Sequence, residues 1–201
     1  MSPAKLPAQL VLPIHPKEYP TQGKSHCGAY AVNAVLSAYG LNDDVREPWE
    51  LHTATLSRIS GSSTSLDYYP SILRSYGLIA RARNADGLAA DEKIALLKGL
   101  LVAGNPVILS VASHFNRETG DFQTLKGKVA SHWISLWGWD DGAGVFHTYD
   151  SLVSKELSDA DAPIGNKSRS YETVLRIWPG SLLSRLMLGR YSYILIKRQS
   201  A

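Results

Sequence analysis

The sequence predicts an α+β fold. Helical patterns come first along the chain and short apolar strands come later, and two of those strands flank a tight turn, which makes them antiparallel. The length of 201 residues is about one to one and a half domain lengths. The 44% hydrophobic and 19% charged side chains are typical of a folded protein. We therefore expect one compact domain with a hydrophobic core.

The first twenty residues differ from the rest of the chain in their proline content. The prolines in this segment are Pro3, Pro7, Pro13, Pro16 and Pro20. Because proline fixes φ and lacks an amide hydrogen, residues 1–20 are predicted to run as an extended arm. A single domain over residues 21–201 is expected to follow.

Two segments carry the clearest helical periodicity. From Gly28 to Tyr39 the apolar residues recur at helical spacing, and Gly40 offers a stop. From Asp91 to Ala103 the apolar residues share one face, and the acidic residues stand at the positive end. Shorter helices are predicted over 65–76 and 171–178.

Short apolar runs predict a sheet in the remainder of the chain. The predicted strands are 78–83, 107–111, 132–139, 145–149 and 191–197. The residues Asp140 to Gly144 separate the third and fourth of these, which indicates a β-hairpin. The segment 114–130 is predicted to be a surface loop, and the stretches 57–65 and 151–169 are polar, without a predicted helix or strand.

Charge and cysteine content exclude several classes of protein. The net charge is +3 and the basic residues are scattered, so we expect no nucleic-acid partner. One cysteine excludes an internal disulfide and a zinc site of several thiolates. No signal peptide or membrane span is predicted, because the most apolar region, 94–111, is interrupted by polar residues. We expect a cytoplasmic protein, or one exported without a cleavable signal, for example as an effector; the pattern does not indicate an oligomeric state.

Cys27 lies at the start of the first predicted helix. The unpaired N–H groups and the dipole of a helix favour negative charge there, and the thiolate is the reactive form of cysteine. A lone cysteine is also a common buried residue, so its neighbours matter. Gln22 stands five residues before it, and Gly28 follows directly, leaving room for a carbonyl group to approach the backbone. These neighbours favour a nucleophilic cysteine.

A nucleophilic cysteine needs a proton acceptor, and imidazole is the side chain suited to that role. His132 opens an apolar strand, so a sheet would hold it rigidly. The other histidines of the N-terminal two thirds have no such setting and are predicted at surface or capping positions; they are His15, His26, His52 and His114.

Asp150 ends the second strand of the predicted hairpin. Antiparallel pairing would return it to the neighbourhood of His132, where a carboxylate orients an imidazole and stabilises its charged form. His147 is expected on the opposite face of the sheet from Asp150 and is the weaker base candidate. Asp140 and Asp141 are expected to initiate the turn. The histidines and Asp150 lack the usual spacing of metal ligands, so no metal site is expected.

These segments resemble the papain-like cysteine peptidases, and most closely the branch similar to bacteriocin-processing, double-glycine leader peptidases. The matching segments are residues 22–36 (QGKSHCGAYAVNAVL), 100–111 (LLVAGNPVILSV) and 131–151 (SHWISLWGWDDGAGVFHTYDS). The resemblance implies a papain-like fold, in which an N-terminal helical part with the nucleophile at a helix N-terminus packs on an antiparallel sheet. It also implies a peptide or protein substrate and no cofactor.

The resemblance assigns a role to each of four residues. It implies Cys27 as nucleophile, His132 as general base and then acid, Asp150 as the orienting carboxylate, and Gln22 as a donor in the oxyanion hole. Many members have the glutamine six residues before the cysteine, where Thr21 stands here. Members of the leader-peptidase branch are often fused to transporter segments, and this sequence contains no predicted span.

Three functions remain open at this point. The first is a cysteine peptidase that hydrolyses peptide bonds through a thioester. The second is an acyltransferase, transglutaminase or glutamine deamidase, because the same thioester can be formed from, or discharged to, other groups. The third is a papain-like module that binds a peptide without catalysis.

Overall fold

The computed structural model describes residues 6–23, 25–61, 65, 67–113 and 130–198. These residues form a seven-stranded antiparallel sheet. Its strands are β1 (Gln9–Val11), β2 (Leu78–Asn84), β3 (Val107–Ser113), β4 (Ala130–Asp140), β5 (Val145–Tyr149), β6 (Lys167–Ser170) and β7 (Ser192–Arg198). Their order is β2-β7-β3-β4-β5-β6, and β1 pairs with the end of β4.

Helices connect and cover these strands. They are α1 (Cys27–Ala38), α2 (Thr55–Ser60), α3 (Tyr68–Ser75), α4 (Ala90–Val102), α5 (Tyr171–Ile177) and α6 (Leu182–Leu188), with 3₁₀ turns at Pro48–Leu51 and Lys155–Leu157. The helices predicted over 28–39, 65–76, 91–103 and 171–178 are confirmed as α1, α3, α4 and α5. None of the described helices has both the length and the apolar character needed to cross a membrane.

Helix α1 is buried on nearly all sides, which gives Cys27 a rigid base. Val32, Val35 and Leu36 have no exposed surface, and α1 packs against β4 and α3. Each fully buried aliphatic side chain of this size contributes about 1.5–3 kcal/mol relative to an exposed one. The start of α1 is therefore held against the strand that carries His132.

Strands β4 and β5 form the predicted hairpin, with an irregularity in its register. The pairing shifts between Leu136 and Gly138, and a Cβ on Gly138 would lie 2.3 Å from the carbonyl oxygen of Leu10. Glycine at this position therefore lets β1 lie directly against β4. The other end of β4 pairs with β3, where His132 stands opposite Val111.

Two polar stretches for which no helix or strand was predicted contain regular structure, and the predicted extended arm contains a short strand, β1. The polar stretch 151–169 includes β6, which pairs with β5 from Val145↔Ser170 to Thr148↔Lys167. Its sequence, Lys-Ser-Arg-Ser, has no apolar alternation, so it forms a strand because β5 offers an open edge and not because of its own pattern. Likewise α2 begins before the polar stretch 57–65 and extends into it. Residues 114–129 of the surface loop predicted over 114–130 lie outside the described residues.

Candidate active site

Cys27 is the first residue of α1 and stands at its positive end. The residue before it, His26, takes a left-handed backbone conformation with φ of 78°, and its side chain makes no capping bond. The first turn of α1 contains no acidic residue. The helix N-terminus therefore favours negative charge on this free, partly exposed thiol.

His132 is buried on β4 between Cys27 and Asp150. Its Nε2 atom lies 2.7 Å from Oδ1 of Asp150, and a further hydrogen bond joins the ring to Cys27. Because Nε2 is hydrogen-bonded to Asp150, the hydrogen bond to Cys27 involves the other ring nitrogen, Nδ1. Thiol, imidazole and carboxylate thus stand in one hydrogen-bonded row.

The charge of His132 follows from these two neighbours. Burial alone lowers the pKa of its imidazole, but the charges of Asp150 and Cys27 and the hydrogen bonds to both outweigh burial and raise the pKa to about 10. The surroundings therefore favour an imidazolium. A proton leaving the sulfur would be held on this ring.

Asp150 directly follows β5 and has no exposed surface. Its Oδ1 also accepts from the backbone N–H of Leu152 at 2.9 Å, and its Oδ2 accepts from Arg169 at 2.7 Å. Burial raises the pKa of this carboxyl, but His132, Arg169 and the Leu152 amide together hold it well below its usual range. Asp150 is therefore an anion with both oxygens occupied.

The side chain of Asn166 fixes the backbone on which Asp150 stands. Its Oδ1 accepts from the Asp150 N–H and its Nδ2 donates to the Asp150 carbonyl, each at 2.9 Å. This pair of bonds imitates a strand partner at the point where β5 ends.

Gln22 lies in the loop before α1 and is tied to the residue after Asp150. Its backbone N–H donates to the carbonyl of Ser151 at 2.8 Å, and the Ser151 hydroxyl donates to Oε1 of Gln22. Nearby, the Tyr149 hydroxyl donates to the carbonyl of Pro20 at 2.6 Å. The structure thus brings all four predicted site residues, Gln22, Cys27, His132 and Asp150, into one region.

Tyr69 borders Cys27 and Gly28 on another side, which the sequence did not indicate. A Cβ on Gly28 would lie 2.0 Å from Cζ of Tyr69, so the tyrosine ring occupies the space that a side chain at residue 28 would need. Burial raises the pKa of Tyr69 strongly, and the charge of Cys27 adds to that effect. The phenol therefore stays neutral beside the thiol.

Of the two positions predicted for His52, surface or capping, the surface position is wrong, whereas the residue does cap the end of the 3₁₀ turn Pro48–Leu51 through its backbone N–H. This ring has no exposed surface, and its Nδ1 lies 3.1 Å from the hydroxyl of Tyr68. Its ring centroid lies 5.1 Å from that of His26, and it also packs against Tyr68 and Tyr69 of α3. Burial, with the charges of His26 and Arg58, lowers the pKa of His52 to about 4.

The remaining candidates lie apart from this row. His147 is buried, and its Nδ1 lies 3.2 Å from Oγ of Ser168. Asp140 accepts from the N–H groups of Gly142 and Ala143 and so shapes the hairpin turn, and Asp141 pairs with Lys98. Within the described residues, no group of three or more His, Cys, Asp or Glu side chains is arranged to hold a metal ion.

Sequence reasoning missed four residues of this region. They are Tyr69, Ser151, Asn166 and Arg169. Ser151 had a signal, since it directly follows Asp150 in the segment that matches the peptidases. Arg169 had none, because it lies in a polar stretch without periodicity.

Comparison with solved structures places this architecture among cysteine proteases. A double glycine motif protease from an AMS/PCAT transporter, in complex with the leader peptide, is similar with a TM-score of 0.54 at 16% identity, over 95% of this chain and 99% of that chain. Xylellain, a cysteine protease from Xylella fastidiosa, is similar with a TM-score of 0.53 at 15% identity, over 98% of this chain and 88% of that chain. No protein-family model and no curated protein matches the sequence. The predicted papain-like α+β fold is confirmed.

Proposed function

We propose that this protein is a cysteine peptidase that cleaves peptide bonds through a thioester on Cys27. One observation carries the proposal: the imidazole of His132 is buried between the Cys27 thiol and the Asp150 carboxylate, which lies 2.7 Å from Nε2. A thiol at a helix N-terminus, paired with an imidazole that a carboxylate orients, is the arrangement that activates a sulfur nucleophile.

In the proposed reaction, the Cys27 thiolate attacks the carbonyl carbon of the scissile peptide bond. The imidazolium of His132 then donates its proton to the leaving nitrogen, the C–N bond breaks, and the acyl group remains on sulfur. Water next attacks the thioester while the neutral His132 accepts its proton, and the acid product leaves with the thiolate restored.

The negative charge on the carbonyl oxygen needs hydrogen-bond donors during both steps. The backbone N–H of Cys27 at the helix start and the Nε2 group of Gln22 are the donors proposed here. The Gln22 amide is suited to this role because its oxygen already accepts from Ser151, so the N–H₂ group is the part of the amide that is left to donate to a substrate. Loss of one such donor costs about 2.7–4 kcal/mol in the transition state.

The proposed substrate is a peptide or a protein segment. A peptide fits the similarity to a double glycine motif protease that was crystallised with a leader peptide. Cys27 is partly exposed, whereas His132 and Asp150 are shielded from solvent.

A probe and two variants test the proposal. An electrophilic peptide probe should label the wild type, and peptide mapping should place the label on Cys27. Cys27→Ala and His132→Ala should each lower peptide turnover by about 10⁴-fold or more while circular dichroism shows a folded protein. Comparable turnover in either folded variant would remove the assignment.

The products distinguish a peptidase from the alternatives. A cut backbone supports the proposal. Conversion of a glutamine side chain to glutamate without cleavage indicates a deamidase, and a new amide with an added amine indicates an acyltransferase. If iodoacetamide at mildly acidic pH fails to label Cys27 in the native protein, the sulfur is not activated, and a peptide-binding module is the better description.

A further inference from the structure

Arg169 is a buried cation that touches the row of candidate catalytic groups from behind. It lies on β6, where it pairs with Phe146 of β5, and it is 3% exposed. Its Nη2 donates to Oδ2 of Asp150 at 2.7 Å, between side chains that are 2% and 0% exposed. A guanidinium is retained at such depth only where it is paired, because its desolvation is costly.

The two oxygens of Asp150 have different partners. Oδ1 accepts from Nε2 of His132 and from the N–H of Leu152, whereas Oδ2 accepts from Arg169. With both oxygens held, the carboxylate cannot rotate about its Cβ–Cγ bond without breaking a charge-assisted hydrogen bond. Arg169 thereby fixes the plane in which Asp150 meets the imidazole.

The charges of the groups along this row alternate in sign. In the proposed reaction they are, from the surface inward, the thiolate that Cys27 forms, the His132 imidazolium, the Asp150 carboxylate and the Arg169 guanidinium. Without the guanidinium, the row would carry one uncompensated negative charge in a place that solvent does not reach. Asp150 could relieve that charge by taking a proton, and it would then orient the imidazole poorly.

We propose that Arg169 is a positioning residue for the reaction proposed above: it keeps Asp150 anionic and in one orientation, and through Asp150 it holds His132 with Nε2 protonated and Nδ1 toward Cys27. This inference rests on the proposed function. The groups that face Asp150 are His132 from β4, Arg169 from β6 and the neighbouring Tyr149, while Lys167 of β6 is paired with Asp159.

Two substitutions at residue 169 separate charge from geometry. Arg169→Met removes the cation and keeps much of the side-chain length, and Arg169→Lys keeps the charge but loses the planar fork. Arg176→Met, at an exposed position on α5, is the matched control. We expect Arg169→Met to lower kcat by about tenfold or more with little change in KM. We also expect it to shift the acidic limb of the pH profile of kcat by about one unit toward higher pH.

Arg169→Lys should restore part of kcat and return the acid limb toward its wild-type position, and Arg176→Met should change neither. A loss of stability alone would not move a pH limb. If Arg169→Met is folded and keeps the wild-type kcat and pH profile, Arg169 has no positioning role and the proposal is wrong.

A second measurement tests the proposal if Arg169→Met folds poorly, and it does not depend on turnover. In the Cys27→Ala background, ¹⁵N-histidine NMR should show Nε2 of His132 protonated at neutral pH, and Arg169→Gln, which removes the cation but keeps a hydrogen-bond donor, should lower the protonated fraction of Nε2. An unchanged His132 spectrum in Arg169→Gln would overturn the proposal even for a protein that cleaves no peptide. A changed spectrum in a protein without turnover would leave Arg169 as a positioning residue and count only against the peptidase activity.

Discussion

The hydroxyl of Ser151 donates a hydrogen bond to Oε1 of Gln22, although the two residues are 129 positions apart in the sequence. The Gln22 N–H returns a bond to the Ser151 carbonyl at 2.8 Å. The loop that precedes Cys27 and the segment that follows Asp150 are therefore joined as one unit. The amide of Gln22 is held with its oxygen inward.

Ser151→Ala should release the Gln22 amide and lower kcat/KM by about tenfold, because a donor that rotates freely stabilises the transition state less well. Steady-state kinetics on a peptide substrate measures the loss. Ser158→Ala is the matched control, since that hydroxyl bonds only to the carbonyl of Ser154 in the same segment. Thermal unfolding shows whether stability has changed as well.

A double-substitution cycle identifies Gln22 as the route of this effect. Gln22→Ala should lower kcat by about 10²–10³-fold, and adding Ser151→Ala to it should cost almost nothing further, because the residue that Ser151 orients is gone. An undiminished second loss would show that Ser151 acts independently of Gln22.

Cys27→Ser should lower the pKa of His132. Burial lowers the pKa of this imidazole, and the charges of Asp150 and Cys27 with the hydrogen bonds to both raise it to about 10, so replacing the sulfur removes one of the two raising charges. ¹⁵N-histidine NMR titration reports the change. His147 provides an internal control, because burial lowers its pKa and Cys27 is not among the groups that affect it. Equal titration of His132 in both proteins would contradict the coupling.

The sign of this linkage also determines how His132 affects stability. Its pKa in the folded protein lies above the ordinary value of about 6.5, so protonation favours folding, fully below about pH 6.5 and progressively less as pH rises toward 10. Urea unfolding should therefore show the contribution of His132 declining on the alkaline side of neutrality.

Gly28→Ala should destabilise the protein by about 1–3 kcal/mol, because the added methyl group would overlap Tyr69. That ring cannot easily move, since it packs against Trp133 with centroids 5.2 Å apart and is 2% exposed. Gly99→Ala is the matched control in α4, where nothing lies within 4 Å of the new atom. There the same change should stabilise the helix by up to about 1 kcal/mol. Urea unfolding compares the two, and similar effects would refute the overlap.

Acid should weaken the fold through His52. Its pKa is lowered to about 4 by burial and by the charges of His26 and Arg58, so the folded state prefers the neutral ring. The stability that this provides is complete above about pH 6.5 and is lost as pH falls toward 4.

The variant His52→Leu cannot take up that proton. The difference in the free energy of unfolding between wild type and this variant, measured by urea unfolding, should therefore decrease as the pH falls from about 7 to about 4.5. His15→Leu, at an exposed position in the N-terminal segment, should leave the pH dependence unchanged. A constant difference between His52→Leu and wild type across this range would contradict the argument.

The parts of the fold that follow local rules were predictable. Helix α1 and the β4–β5 hairpin show strong periodicity and end at glycine-containing turns, so the sequence predicted them and the closeness of His132 to Asp150. The resemblance to papain-like peptidases added Gln22, whose contact with Ser151 depends on pairing between distant segments that no local pattern encodes.

The elements that were missed depend on their neighbours. Strand β6 consists of four polar residues that pair with the edge of β5. Its Arg169 can be buried because it forms an ion pair with Asp150. His52 is buried against the rings of His26, Tyr68 and Tyr69, which lie on other segments, so its own segment gave no sign of burial. Burial of polar residues by tertiary contacts is the common reason for these errors.

The alternating charges that run from Cys27 to Arg169 have a consequence for the salt tolerance of the protein. Ion pairs such as Lys17–Asp43, with side chains 66% and 82% exposed, lose their attraction as dissolved ions gather around them. The Asp150 end of the row lies where such ions cannot enter. A high salt concentration should therefore weaken the surface ion pairs of this protein well before it weakens the buried pairs around Asp150.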